Sequence, residues 1–335
     1  MRSFTIFRIL CLGLFCVFAP GQATAQWLQR APMPTARQEI PHALVGGKIF
    51  VVGGLLQNGV TDRVEVYDPA SDTWATVAPL PQFLHHSAAA VTADRLFVIG
   101  GYRGLTFNEA NFVFEYDAAH DVWIDRAFLS RGRGAGSAVA YAGKVYFVGG
   151  TVAGAASSLN QVYDPNSDSW QTMAPMPSVR EHLAAAVIDS LIYVVGGRAR
   201  NQSGQLINSH RLEVYSPAQN SWRVAQDMPT ARGGLAAASH HGLLYTFGGE
   251  IPGVFDTNEI YDPGTDSWRD GERLLTARHG MGAVTVGDTI YAIGGGLIAG
   301  ILATNVNEAL ILSNATSVVS DPVTPQQFSL AQNYP

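Results

Sequence analysis

Residues 144–170 read KVYFVGGTVAGAASSLNQVYDPNSDSW, and this stretch decides the fold. An apolar run, Val145-Tyr146-Phe147-Val148, ends on Gly149-Gly150; Tyr163 then opens a YDP turn, and Trp170 follows seven residues later. Short aromatic and β-branched runs bounded by Gly, Pro and Asp turns are strands. The signature returns along the chain at a period of 46 to 52 residues, with Gly pairs opening at Gly53, Gly100, Gly149, Gly196, Gly248 and Gly294. An aromatic residue stands three positions before each pair. Tyr67, Tyr116, Tyr163, Tyr215 and Tyr261 are each followed, seven residues on, by Trp74, Trp123, Trp170, Trp222 or Trp268. A period of this size outranks the two-domain expectation that 335 residues would otherwise raise, because each repeat is a supersecondary unit that must stack on its neighbours.

The double Gly, the Tyr and the Trp at short fixed spacing resemble the Kelch repeat over residues 27 to 312, with five full copies and a sixth incomplete one. Met-Pro followed by Thr-Ala-Arg (33–37 and 228–232) fits it too. The resemblance implies an all-β, six-bladed β-propeller with four-stranded blades around a channel. The sixth copy has Leu310 at the Tyr position and Ser317 where its Trp would fall, while Trp27 stands at a fourth-strand spacing with no blade before it. The N-terminal strand is therefore expected to complete the last blade and close the ring, leaving no open edge.

The ends read differently. Arg2 and Arg8 precede an apolar run, Ile9 to Ala19, and Ala23-Thr24-Ala25 offers a small-x-small cleavage site, so residues 1–25 read as a secretory signal peptide. Both cysteines, Cys11 and Cys16, lie inside it, and a mature chain without cysteine has no disulfides. Residues 26–312 form the propeller, and 313–327 have linker composition. Residues 328–335, FSLAQNYP, resemble the opening of a C-terminal sorting domain for type IX secretion, which implies export through the outer membrane to a secreted or cell-surface location. No transmembrane segment remains after signal cleavage. The net charge of −6 carries no basic block, which excludes nucleic acid as a partner.

Five repeats carry Arg sixteen residues before the first Gly: Arg37, Arg133, Arg180, Arg232 and Arg278. Two residues before the Tyr position lie Glu65, Phe114, Gln161, Glu213, Glu259 and Glu308. The one repeat that lacks the Arg, at Leu84, also lacks the polar partner, at Phe114. Their joint loss points to intrablade pairs, Arg37 with Glu65, Arg180 with Glu213, Arg232 with Glu259 and Arg278 with Glu308, rather than to a ring of free cations; Arg133 is expected near Gln161. The adjacent pairs His85-His86 and His240-His241 would point to opposite faces of a strand, so neither makes a metal clamp by itself. No metal or other cofactor is expected. A copper-radical oxidase of Kelch type needs a Tyr–Cys cross-link that the mature chain cannot form.

Spacing within the repeats is constant except between the Gly pair and the Tyr, where it runs 14, 16, 14, 19 and 13 residues, and 16 to Leu310 in the sixth. All length variation thus falls in the connection from second to third strand, the pattern of a rigid scaffold that presents a recognition face. On that face the expected ligand-binding residues are Arg103, Arg198, Arg200 and Glu250 from the variable connections, with Glu39, His86 and His182 at the mouth. The longest connection, in the fourth repeat, is expected to gather Arg198, Arg200 and Arg211. The reading is a monomeric, non-enzymatic extracellular module that binds a carbohydrate or protein. The alternative is a carbohydrate-active enzyme, such as a sialic-acid-type mutarotase, with Glu250 or Glu39 as its acid/base.

Overall fold

In a computed structural model that describes residues 25–312, each repeat becomes one four-stranded antiparallel sheet. Residues 1–24 and 313–335, and with them the expectations for a leader, a linker and a sorting signal, lie outside the described residues. The third blade is representative: Ser137–Tyr141 innermost, then Lys144–Val148, Asn160–Asp164 and Ser169–Thr172 at the rim. Six such sheets stand around one axis. The innermost strands touch in sequence, from His42–Val45 through Ala88–Thr92 onward, until Gly282–Val286 returns to His42–Val45.

Position in the blade explains composition. Second strands such as Leu191–Val195 are buried at every residue but the first, because both faces of the blade pack on neighbours and the usual alternation disappears. Innermost strands are rich in small residues, Ala88-Ala89-Ala90, Ala184-Ala185-Ala186 and Ala236-Ala237-Ala238, where six strands crowd the axis. The Gly pairs turn the chain at the end of the second strand. Gly150 has φ +87°, and a Cβ there would lie 2.5 Å from the Gly134 carbonyl, so neither backbone nor space admits a side chain.

Three sets of hydrogen bonds join neighbouring blades, and each closes on itself. Nearest the axis, the backbone N–H groups of His86, Ala135, His182, Gly234, Gly280 and Glu39 each donate to the carbonyl of the preceding member, at 2.7–2.9 Å, in an unbroken circle. Farther out, the second Gly of each pair donates to the repeat-start carbonyl of the next blade; Gly150 meets Arg180, and Gly295 returns to Arg37. At the rim each Trp indole donates to a carbonyl of the blade before, as Trp170 does to Ala127 at 2.7 Å.

The rim contact is reinforced in most blades. Asp168 accepts from both the Tyr163 hydroxyl and the Ala127 N–H, so one residue of the neighbouring blade is held by both of its backbone groups. Asp72, Asp121, Asn220 and Asp266 do the same.

The sixth sheet is built from both ends of the described chain. Gln26–Gln29 pairs antiparallel with Asn307–Ile311, Trp27 lies opposite Leu310, and the Trp27 indole donates to Glu272 O at 2.8 Å. This seam keeps its Trp contact but has Leu310 for the Tyr and Ala25 at the Asp position, so one rim bond crosses it where two cross each of the others.

The repeat-start arginines are buried and paired inside their blades. Arg37–Glu65, Arg180–Glu213 and Arg232–Glu259 stand at 2.7 Å, and Arg278–Glu308 at 2.8 Å. Each Arg also donates to the carbonyl of the first Gly of its pair, which fastens the turn to the start of the repeat. Leu84 and Phe114 are buried in one apolar cluster shared by the first and second blades.

Arg133 departs from the expected contact with Gln161. Its guanidinium lies 3.8 Å from the centroid of the Phe147 ring and donates to the Leu159 and Phe147 carbonyls. The other blades have Val, Thr or Ala where this one has Phe147; the larger ring captures the cation's face before it reaches the amide.

Candidate functional site at the channel mouth

The residues two positions after each repeat start, Glu39, His86, Ala135, His182, Gly234 and Gly280, form the inner circle of backbone bonds, and all have φ between +52° and +66°. That left-handed turn breaks strand alternation. The side chains one and two positions after the repeat start therefore approach the same end of the channel instead of opposite faces. His85 and His86 show the effect: their Nδ1 atoms are 2.5 Å apart. The expectation that an adjacent pair must diverge fails here for that reason.

A second layer comes from the turn after each Gly pair, which bridges back to the repeat start. Glu181 bridges Arg198, Gly233 bridges Glu250 and His279 bridges Gly296, which brings Arg198 and Glu250 to the mouth. Gly234 and Gly280, without side chains, leave the room that Glu250, His279 and Glu39 occupy.

The result is a closed circle of side chains from five blades. His86 Nε2 lies 3.4 Å from Glu39 Oε2, and Glu39 Oε1 lies 3.6 Å from His279 Nε2, itself 3.6 Å from Glu250 Oε2. Glu250 contacts Arg198 directly, Arg198 Nε donates to Glu181 Oε1 at 3.0 Å, and Glu181 lies against His182 Nδ1 without a formed hydrogen bond. The His182 ring stands edge-on to His86, with centroids 4.8 Å apart. Glu39, His86 and His182 border a cavity of about 140 Å³ whose remaining wall is mostly inner-strand Ala, Ser and Gly.

Burial governs the charge states. Desolvation, with the nearby Glu250 carboxylate adding to it, raises the Glu39 carboxyl to about 8, so at neutral pH it holds a proton. Desolvation first, then neighbouring cationic groups, keeps His86 and His182 well below their ordinary range, and burial lowers His279 as well; the imidazoles are neutral. The mouth thus offers lone pairs, a carboxyl and one guanidinium already engaged by two carboxylates. That set suits a cation or proton transfer better than an anionic ligand.

Of the seven ligand residues expected from sequence, five meet here: Glu39, His86, His182, Arg198 and Glu250. Arg103 and Arg200 do not. Arg103 is exposed, 5.9 Å from the Phe112 ring centroid, and Arg200 is exposed and donates to Gly204 O within its own loop. Nor do Arg198, Arg200 and Arg211 gather: Arg198 is 9% exposed and paired, while Arg211 lies 3.3 Å from Asp227. Sequence reasoning missed Glu181, His279 and His85. Their signal was the position one after the repeat start, discounted because a strand would send it away from its neighbour.

The face around the mouth carries most of the exposed apolar side chains. Ten of thirteen exposed large hydrophobic residues among the described residues lie in the second-to-third-strand or interblade connections, Leu105, Phe107, Ile298, Ile301, Phe83 and Val179 among them; the other three sit on rim strands. In an up-and-down blade both connections emerge on one face. None of the thirteen lies in a connection of the opposite face; Val122, at the start of a rim strand, comes nearest to one.

Comparison with known proteins agrees with this architecture. Residues 22–255 match the Attractin/LZTR1 beta-propeller family model. The chain is 30% identical over 237 residues to Kelch-like protein terF of Aspergillus terreus, an alignment covering 64% of this chain and 50% of that protein. It is 26% identical over 223 residues to human Kelch-like protein 23, covering 65% of this chain and 38% of that one. It thus spans half the length of the first relative and little more than a third of the second. The solved structure of YjhT superposes with a TM-score of 0.72 at 16% identity, over 84% of this chain and 96% of YjhT. On the extent of the family match, the chain belongs to the Attractin/LZTR1 β-propeller family, with Kelch-like repeats.

Proposed function

We propose that this chain is a non-enzymatic interaction module, and that its partner is a protein held on the face carrying the second-to-third-strand connections. The concentration of exposed apolar side chains on that face carries the reading. Soluble proteins seldom expose large apolar residues in a group unless the group meets a partner, and here the connections of the opposite face have none. Leu105 and Ile301 are about 60% exposed at loop tips, where packing gives them no role. Apolar tips suit a protein surface better than a polysaccharide, although Asn201, Gln205 and Ser203 of the longest loop offer amides and a hydroxyl to a glycan on a glycoprotein partner. The module acts as a monomer outside the cell, a placement that rests on residues 1–25 and 328–335.

The test is site-specific photo-crosslinking. A crosslinking residue at Phe107 or Ile298 should capture one discrete partner, and the same residue at rim positions Val122 or Val224 should not. Equal capture at the rim, or loss of none of the purified partner's binding when Phe107 and Ile298 become Ser, would reject this face. The enzyme alternative draws on Glu39, whose raised pKa suits an acid/base near neutrality. Against it, Arg198 and Glu250 touch each other, leaving no gap for a substrate between them.

A further inference from the structure

We propose that Glu39, His86 and His182 form a binding site for a divalent transition-metal ion of the zinc type at the channel mouth. One ligand atom from each lies within 4.8 Å of the other two, and the three residues come from three blades. Zinc bonds to N and O are about 2.0–2.1 Å, which puts neighbouring ligands on a tetrahedral ion ~3.3 Å apart. Glu39 Oε2 and His86 Nε2, at 3.4 Å, match that spacing and are long for a hydrogen bond.

Hydrogen-bond chemistry around the site fixes which nitrogens are free. A carbonyl oxygen only accepts, so the 3.0 Å contact of His85 Nε2 with Gly104 O places the proton of neutral His85 on Nε2. His85 Nδ1 is then an acceptor, and the 2.5 Å contact with His86 Nδ1 places the His86 proton there. His86 Nε2 is left with a bare lone pair directed at Glu39. His182 Nδ1 lies against the Glu181 carboxylate, which Arg198 holds, without a formed hydrogen bond; the negative charge there favours the tautomer with its proton on Nδ1, which leaves Nε2 free. A carboxylate behind a metal-binding imidazole is the usual outer-sphere support.

His279 supplies an independent sign. Its Nδ1 lies 3.2 Å from Gly296 O, which leaves Nε2 a lone pair; that atom is buried without a hydrogen-bond partner and lies 3.6 Å from both Glu39 Oε1 and Glu250 Oε2. Lone pairs of two imidazoles and two carboxyl groups thus converge around Glu39. A cation satisfies such a cluster where a neutral ligand does not. Two nitrogens and one oxygen select zinc-like ions over Mg²⁺ or Ca²⁺, and three protein ligands leave a coordination position for a further group. The second cluster, His240, His241 and Asp288, is the more open one: His240 Nε2 is also buried without a hydrogen-bond partner, but His241 and Asp288 are exposed to water that competes for an ion.

The experiment uses the full chain freed of any affinity tag and stripped with a chelator. Zn²⁺ is titrated calorimetrically, and Co²⁺ is followed by its visible d–d absorption. One equivalent per chain should bind with a rise in melting temperature, and Mg²⁺ and Ca²⁺ should give neither. His86→Asn and His182→Asn keep a residue type that tolerates the left-handed backbone at these positions, and each should abolish the stoichiometric uptake. Glu181→Gln, acting on the outer sphere, should weaken it ~10–100-fold. His241→Asn should leave it unchanged, and metal-free melting temperatures report whether each variant folds. No uptake of Zn²⁺ or Co²⁺ by the parent chain overturns the proposal, as does uptake that survives in a folded His86→Asn or His182→Asn variant.

Discussion

Replacing Arg232 by Leu should destabilise the propeller more than replacing Arg232 and Glu259 together. Arg232 is fully buried; its Nη2 donates to Glu259 Oε2 at 2.7 Å, and its Nη1 to the Gly248 and Thr257 carbonyls at 2.7 and 3.1 Å. In Arg232→Leu the Glu259 carboxylate, 2% exposed, keeps only the Thr230 hydroxyl. Stranding one member of a buried ion pair costs about 3–5 kcal/mol. Arg232→Leu with Glu259→Phe copies the Leu84 and Phe114 of the second blade and removes the stranded charge. It is not free, because Gly248 O loses its donor and Thr257 O keeps only the Gly248 N–H. The second blade meets part of that need with Ser87, whose hydroxyl donates to Gly100 O at 2.9 Å, whereas the fifth blade has Leu235 there. A residual loss of ~1–3 kcal/mol is therefore expected, about 2 kcal/mol less than for the single change. Guanidinium unfolding followed by tryptophan fluorescence gives all four corners of the cycle. A double variant as unstable as the sum of its singles refutes the argument.

Two further outcomes follow from the blade contacts. Trp27→Phe removes the single rim bond of the closing seam and should cost more than about 1 kcal/mol, while deletion of residues 26–32 should expose Asn307–Ile311 as an edge and give concentration-dependent oligomers in size-exclusion chromatography; a deletion variant that stays monomeric and equally stable contradicts the closure. The carboxylates of Asp72, Asp121, Asp168 and Asp266 are held below their ordinary range chiefly by the tyrosine hydroxyls that donate to them. A depressed folded-state pKa gives stability that is full above the unfolded value, near 4, and is lost as pH falls through the folded value, so melting temperature should drop below about pH 4. Asp168→Asn copies Asn220 of the fourth blade and should melt normally at pH 7 with a shallower acid decline; an unchanged decline counts against these contacts.

The fold was legible because its signals are repeated and local. The Gly pairs, the Tyr-to-Trp spacing and the joint loss of Arg and Glu in the second repeat each translate into one contact made several times over. The displaced Trp27 announced which strand completes the last sheet, since a spacing rule locates it without any long-range information. The mouth was only half legible. Glu39, His86 and His182 were found by repeat position, but the positive φ that turns Glu181, His279 and His85 toward them cannot be inferred from residues such as His and Glu, which seldom adopt it. Arg198 read as a free surface cation because its partners, Glu181 and Glu250, lie 17 and 52 residues away and meet it only after the blades assemble. Arg133 was misassigned because the pairing rule took no account of Phe147.

The circle of six backbone bonds closes the channel mouth and fixes the side chains around it. Hydrogen exchange read by mass spectrometry, with fragmentation to single amides, measures it directly. The N–H groups of Glu39, His86, Ala135, His182, Gly234 and Gly280 should exchange as one slow set, as slowly as second-strand amides such as Val194, even though they lie in connections rather than strands. If these six amides exchange as fast as the exposed tips at Gly104 and Ser203, the mouth is open and the site it is said to organise does not exist.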